Sequence, residues 1–266
     1  MSNSETSSKK EARHRRIQVL LIDSSMLRVQ ELCDALDCSE ATIRNDLREL
    51  EEKGLVKRTF GGALSTGNTY GSTDLTVHQK LHSREKNAIA RYVVSNILEN
   101  GQTIILDIGT TTLMLAQCIA RSSLHLNVVT NSLVAANILI HNEKIDLHLP
   151  GGTYSRFLDT FDVSATLDYY HNIHADYFFM STNGISLEAG FTVPHQNLAA
   201  VKSVLIKQSR KTIALSDHSK INKSAFRKVC DFSDVDMLIV DDACSESDRE
   251  ILARTELEVR FAPIDE

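Results

Sequence analysis

Asp107-Ile108-Gly109-Thr110-Thr111-Thr112 stands directly after the aliphatic run Ile104-Ile105-Leu106. A strand that runs through a glycine turn into a helix aims the helix's first N–H groups beyond the strand end, and three hydroxyls add donors there. That arrangement suits a phosphate. Any βα loop can carry a glycine and a threonine cap, and it is the run of three threonines that points to an anion. Asp217-His218-Ser219-Lys220, after the run Thr212 to Ser216, adds a carboxylate that can accept from sugar hydroxyls and an ammonium that can meet phosphate. A surface ion pair would explain the same two residues. Thr130-Asn131-Ser132 and Pro150-Gly151-Gly152 also end apolar runs, where backbone approaches a ligand or simply turns.

A second chemistry lies near the N-terminus. Ser39 is a good N-cap, and Ile43, Leu47 and Leu50 then share one helical face out to about Glu52. Glu40, Ala41, Arg44, Asn45 and Arg48 are left outward, with Arg44 and Arg48 four residues apart on one side, as a helix entering a DNA major groove requires. Val29, Leu32, Cys33 and Leu36 predict the helix before it, across a short break at Asp37-Cys38, and Ile17, Leu20, Leu21 and Ile22 predict a first one. Gly54 stops the outward-facing helix. Leu55 to Thr59, a Gly61-Gly62 turn and Ala63-Leu64 then read as a two-stranded wing carrying Lys57 and Arg58. A plain three-helix bundle would have the same apolar spacing, its arginines merely solvated.

Further along, helical patterns alternate with short β-branched runs: Thr103 to Asp107, Leu126 to Thr130, Ile145 to Leu149, Tyr177 to Ser181, Lys211 to Asp217, Met237 to Asp241 and Leu257 to Phe261. The alternation predicts an α/β domain with a mostly parallel sheet and its ligand at the C-terminal strand ends. The expected organisation is a tail over residues 1–12, a winged helix-turn-helix over 13–66, a linker over 67–82, rich in Gly, Ser and Thr from Ser65 to Asp74, and an α/β domain over 83–266.

Charge and composition limit the alternatives. Residues 1–66 hold eleven Lys/Arg and eleven Asp/Glu, so the net charge of −6 lies wholly in the remainder. DNA affinity must therefore come from local clusters at Arg13-Arg15-Arg16, Arg44/Arg48 and Lys57-Arg58, not from a basic domain. Neither G-x-G-x-x-G nor G-x-x-x-x-G-K-[ST] occurs, which argues against a dinucleotide or nucleoside triphosphate, and no cofactor is expected. Five cysteines without a C-x-x-C pair read as reduced thiols, Cys33 and Cys38 serving packing. His78 with His82 and His171 with His174 lack the further ligands a metal needs. No apolar stretch has the length of a membrane span or a secretory signal.

Arg13, Ile17, Leu21, Ser39, Thr42, Ile43, Arg44, Asp46 and Leu47 resemble the spaced signature of the DeoR family of bacterial transcription regulators, and Arg58-Thr59-Phe60-Gly61-Gly62-Ala63 resembles the segment that follows it. Arg84-Glu85-Lys86, Asp107 to Thr111, Thr130-Asn131-Ser132, Gly151-Gly152, Asn183-Gly184-Ile185, Val201-Lys202 and Asp217-x-Ser219-Lys220 are similar, in order, to that family's effector domain. The resemblance spans residues 13 to 262. It implies a cytoplasmic repressor of carbohydrate-metabolism genes, a homodimer or homotetramer, binding double-stranded operator DNA through Ser39, Glu40, Ala41, Thr42, Arg44, Asn45, Arg48, Lys57 and Arg58. It implies further an effector domain of the fold shared with ribose-5-phosphate isomerase. There a phosphorylated sugar would meet Gly109, Thr110, Thr111, Thr112, Thr130, Gly151 and Gly152, with charge from Lys86, Lys202 and Lys220 and hydroxyls held by Asp107, Asn131 and Asp217. Two rivals stay open: a sugar-phosphate isomerase-like enzyme with an accessory domain, and a structural DNA binder that answers to no effector. Two positions depart from the family pattern, Asn45 where a basic residue is usual and Val163 where glycine is frequent.

Overall fold

The computed structural model describes residues 10–14, 16–18, 20–21, 26–59, 61–65, 82–155, 160–161 and 163–264. They fall in two compact units, one ending before residue 82 and one beginning there. Of the expected linker over 67–82, all but His82 lies outside the described residues, as do Arg15, Ile22 and His78.

In the first unit, residues 10–14, 16–18 and 20–21 are helical and are taken together as α1. The helix therefore starts inside the tail expected over 1–12. The ion pair from Lys10 to Glu49, at 2.6 Å, anchors that turn. Strand β1 (Met26–Arg28), α2 (Val29–Leu36), α3 (Glu40–Glu52), β2 (Val56–Thr59) and β3 (Gly62–Ser65) follow. Ile17, Leu21, Val29, Leu32, Ile43, Leu47, Leu50, Val56 and Ala63 form its core, and Leu36, Cys33 and Cys38 pack on the edge. Helical spacing alone placed these faces. The wing has three strands, not two, in the order β1-β3-β2. Gly62 belongs to this extra pairing, because a Cβ there would collide with the Leu27 carbonyl of β1. Gly54, at φ +70°, ends α3 in the left-handed region glycine favours.

The second unit is built on a seven-stranded sheet in which every neighbouring pair is parallel. Its strands are β4 (Thr103–Leu106), β5 (Leu126–Thr130), β6 (Ile145–His148), β9 (Ala175–Ser181), β12 (Ser209–Ser216), β14 (Met237–Asp241) and β15 (Glu258–Ala262), ordered β15-β14-β12-β9-β4-β5-β6. These are the seven apolar runs of the sequence. Residues such as Ile104, Ile105, Val128, Phe178, Phe179, Ala214 and Ile239 are fully buried, and buried parallel strands read as continuous apolar runs. The chain starts at β4, builds outward through β5 and β6, then returns to β9 on the other side of β4. The direction of winding thus switches between β4 and β9, the kind of position at whose C-terminal strand ends open α/β sheets bind their ligands.

Helices α4 (Ser83–Asn96), α5 (Thr110–Ala120), α6 (Leu133–Leu139), α7 (Val163–Tyr170), α8 (Gln196–Lys207) and α9 (Glu246–Ala253) connect the strands. Helix α4 packs against α5 and against β12, β14 and β15, while α8 packs against α7 and β12. A hairpin, β7 (Tyr154–Ser155) with β8 (Thr160–Phe161), and a small antiparallel sheet of β10 (Gly184–Ser186), β11 (Gly190–Val193) and β13 (Arg227–Cys230) complete the described strands. These five strands, of two to four residues, coincide with no aliphatic run of the kind that marks the seven-stranded sheet.

Candidate functional site

Ser39 caps α3 as expected: its Oγ accepts from Thr42 N at 3.3 Å. Ser39, Glu40, Ala41, Arg44, Asn45 and Arg48 are exposed on α3 and Lys57 and Arg58 on β2, while Thr42 is half-buried. Two of the arginines have intramolecular partners. Arg44 Nε donates to Glu40 Oε1 at 2.9 Å, and Arg58 Nη1 lies 3.7 Å from Glu51 Oε2. Both pairs are exposed, where an ion pair contributes about 1 kcal/mol or less, so a phosphate or base edge can displace the carboxylate.

Arg13 has another role than the basic cluster expected around it. Its Nη2 donates to Asp46 Oδ1 at 3.1 Å and its Nε to Oδ2, and His14 Nε2 lies 2.9 Å from Oδ1. Asp46 is 2% exposed, and a buried carboxylate needs such partners. Burial pushes its carboxyl up, but the hydrogen bonds from Arg13 and His14 and their charges outweigh that and hold it below the usual carboxylate range.

In the second unit the strand ends meet at the winding switch. Asp107 follows β4, Ser181 ends β9, and Lys202 reaches them from α8. Asp107 Oδ2 accepts from Ser181 N at 2.8 Å and pairs with the Lys202 ammonium. Lys202 Nζ also donates to Ser181 O at 3.0 Å. Ser181 Oγ lies 2.8 Å from Asp107 Oδ2 and 2.7 Å from Ile108 O, so its one proton serves either acceptor. Gly109 is required by this closeness, since a Cβ there would stand 2.6 Å from both Cβ and Oγ of Ser181.

The threonines divide. Thr112 Oγ1 donates to Asp107 O at 2.8 Å, or to Gly109 O at 3.0 Å, and so braces the loop. Gly109 caps α5 without a side chain, and Leu113 is the first residue whose N–H bonds back, to Gly109 O at 2.9 Å. The N–H groups of Thr110, Thr111 and Thr112 therefore have no acceptor within the helix. On the next strand, Thr130 Oγ1 accepts from Ser132 N at 3.2 Å, Ser132 caps α6, and Asn131 O accepts from Phe161 N at 3.4 Å. Gly151 and Gly152, beyond β6, have φ of +71° and +113°.

Asp217, 1% exposed, caps a short 3-10 turn (His218–Lys220) by accepting from Ser219 N at 3.2 Å. Burial raises its carboxyl, yet the charge of Lys220, the Ser219 hydroxyl and the charges of Lys86 and His82 bring it below the usual range. Lys86, on α4, thus belongs electrostatically to the Asp217 end of the site, and Lys202 to the Asp107 end. Sequence reasoning missed Ser181, His218 and Asp241. His218 Nδ1 lies 2.7 Å from Asp241 Oδ1, its N–H donates to Oδ2 at 2.7 Å, and its ring meets that of His82 edge-on at 5.2 Å. The signal available was position: Ser181 and Asp241 are polar residues closing apolar strands. Among the described residues no group of three or more His, Cys, Asp or Glu side chains is arranged for a metal, and no helix is long and apolar enough to cross a membrane.

Comparison with known proteins gives consistent matches to both units. The family model for the DeoR-like helix-turn-helix domain matches residues 13–69, and that for the DeoR C terminal sensor domain matches residues 81–242. The HTH-type transcriptional regulator GlpR of Haloferax volcanii is 32% identical over 243 residues, covering 90% of this chain and 92% of that protein. The HTH-type transcriptional regulator GolR of Listeria innocua is 34% identical over 235 residues, 88% and 92% of the two chains. The glycerol-3-phosphate regulon repressor of Haemophilus influenzae is 32% identical over 234 residues, 88% and 90%. Among solved structures, a ribose 5-phosphate isomerase from Methanocaldococcus jannaschii superposes with a TM-score of 0.39 and 16% identity over 53% of this chain and 55% of that one, a likeness too slight to argue from. Matched across both domains and over nine-tenths of its length, this chain belongs to the DeoR family of helix-turn-helix transcription regulators.

Proposed function

We propose that this regulator is a repressor of carbohydrate-metabolism genes whose affinity for double-stranded operator DNA is switched by a phosphorylated sugar at the C-terminal edge of the seven-stranded sheet. The observation that carries the reading is the start of α5: three N–H groups without helical acceptors, beside the buried Asp107–Lys202–Ser181 cluster, where the winding reverses. A helix N-terminus with a nearby cation favours phosphate. Thr110, Thr111 and the backbone after Gly109 bind the phosphate in this reading, with Lys86, Lys202 and Lys220 adding charge. Thr130, Asn131, Gly151 and Gly152 line the far side, and Asp217 accepts from sugar hydroxyls. The names of relatives agree, one being a glycerol-3-phosphate regulon repressor. A homo-oligomer that doubles the contacts of Arg44, Arg48, Lys57 and Arg58 supplies the affinity a neutral N-terminal unit lacks.

A thermal-shift screen of sugar phosphates against the full chain tests this. A true effector at a hundred times its Kd adds about 2.7 kcal/mol and raises Tm by several degrees, and it must also change operator affinity, since equal binding to both states shifts nothing. No shift with any phosphorylated sugar, set against shifts with the unphosphorylated ones, would remove the phosphate from the reading.

A further inference from the structure

We propose that Cys33 and Cys38 are a modification site, a thiol pair that closes into a reversible disulfide by exchange with small-molecule disulfides and thereby lowers DNA affinity. The two residues bracket the turn between α2 and α3. Asp37, at φ +51°, ends α2 in the left-handed region, and both its N–H and that of Cys38 donate to the Cys33 carbonyl, the latter at 3.2 Å. This is the six-to-one closure of a Schellman cap, in which the side chains at these two positions habitually touch. A direct backbone hydrogen bond of 3.2 Å between the two residues, with bond angles of about 120° at either end, holds their Cα atoms within about 6.5 Å, inside the range of about 4.4–6.8 Å over which disulfides form. Both side chains are half-buried and pack on the edge of the same small core.

The chemistry divides between the two sulfurs. Burial pushes the Cys33 thiol up, and the carboxylates of Glu40 and Asp34 push it further, which makes it a slow first nucleophile. Cys38 opens the exchange: its thiolate attacks one sulfur of the small disulfide, that S–S bond breaks, and one thiol leaves carrying the proton Cys38 gave up. The Cys33 sulfur then attacks Cys38 in the mixed disulfide, the protein S–S bond forms, and the second thiol departs with the proton of Cys33. Two protein thiols are oxidised and one small disulfide is reduced to two thiols.

The consequence falls on the DNA-facing helix. In the dithiol state Cys38 Sγ donates to Leu36 O at 3.3 Å, a contact the disulfide abolishes. Ser39, the next residue, holds the N-cap of α3. Drawing Cys38 toward Cys33 re-aims that cap and with it Glu40, Ala41 and Arg44.

The full-length protein, in buffers graded from reduced glutathione to glutathione disulfide, is analysed by peptide mass mapping and by titration of the duplex that the reduced protein selects from a random-sequence pool. The expected result is a Cys33–Cys38 linkage, a loss of affinity of about tenfold, and full recovery with dithiothreitol. C33A and C38A, with C38S as a second variant should alanine unsettle the turn, retain the reduced protein's affinity and lose the response. Stable glutathione on Cys38 that Cys33 never displaces, linkage of either residue to Cys118, Cys230 or Cys244 instead, or the expected linkage with unchanged affinity would each overturn the proposal.

Discussion

His14 Nε2 stands 2.9 Å from Asp46 Oδ1, while Arg13 donates to both oxygens of the same carboxylate, so one buried aspartate on α3 ties that helix to α1. Asparagine there keeps one neutral acceptor oxygen where two charged ones serve Arg13 and His14, and sets an NH2 donor against a donor. D46N should cost the N-terminal unit about 2 kcal/mol, the scale of charged hydrogen bonds in a partly solvated setting. The cost is pH-dependent with a definite sign. Asp46 is held below its unfolded value, so its stabilisation is complete above about pH 4, near the unfolded aspartate pKa, and fades as pH falls through the lower folded value. Urea melts of wild type and D46N at pH 6 and pH 3 check this: the gap should narrow in acid, and a constant gap would mean the carboxylate's charge is irrelevant.

Arg44 and Arg58 differ in where they sit. Arg44 lies in the first turns of α3, and Arg58 on the wing is tied to Glu51 by both its N–H, at 2.9 Å, and its guanidinium. R44A should lose about 1–3 kcal/mol on the specific operator and much less on random DNA, whereas R58A should weaken all sequences alike and lower the salt slope by about one. Operator and random-duplex titrations at several salt concentrations separate the two, provided circular dichroism melts show both variants folded.

Asp107 and Lys202 form a buried pair, 5% and 2% exposed. Breaking it from either side strands a charge, so D107N and K202M should each cost about 3 kcal/mol, and the double variant should cost clearly less than their sum. Denaturant titrations of the four proteins measure the coupling. Additive losses would mean that the two groups act independently.

Gly109 is extended, at φ 171°, which any residue tolerates; its constraint is space. G109A places a methyl 2.6 Å from Ser181 Cβ and Oγ and must move the β4–α5 loop or the end of β9. About 1–3 kcal/mol of stability should go with it. Effector affinity should fall as well, because the shifted atoms are the phosphate-binding N–H groups of the proposed site; an unchanged Kd by calorimetry would place the phosphate elsewhere.

Much of this organisation was legible beforehand for a physical reason. The apolar face of α3 repeats at 3.6 residues, and inner sheet strands such as β4, β5 and β14 are buried along most of their length, so burial wrote itself into local composition. Ile43, Leu47 and Leu50 are inside and Arg44, Asn45 and Arg48 outside, as spacing requires. What was hidden depends on partners distant in sequence. Nothing local marks Met26–Arg28 as a strand, since its pairing is with residues 62–64. Asp107 looked like a ligand residue from its motif alone, and its ties to Ser181 and Lys202 span 74 and 95 positions. The roles of Arg13 and of the His218–Asp241 pair were equally out of reach of any window of sequence.

Asp217 and Lys220 provide the sharpest test of the proposed effector site, since they belong to the second unit and the residues proposed to meet DNA belong to the first. Asp217 is charged throughout the neutral range: Lys220, Ser219, Lys86 and His82 hold its carboxyl low against burial. D217N keeps the shape and removes the charge, and K220A removes the cation, so each should weaken binding of the sugar phosphate by about tenfold or more. Both belong to the second unit and α3 to the first, so operator affinity without effector should match wild type. The response to effector should be lost, because a ligand biases the equilibrium only through the difference in its affinity for the two states. Operator titrations with and without effector, alongside calorimetry of the effector itself, read both quantities. Full response and an unchanged effector Kd in both variants would move the sugar away from Asp217 while leaving the assignment of α3 and the wing to DNA intact.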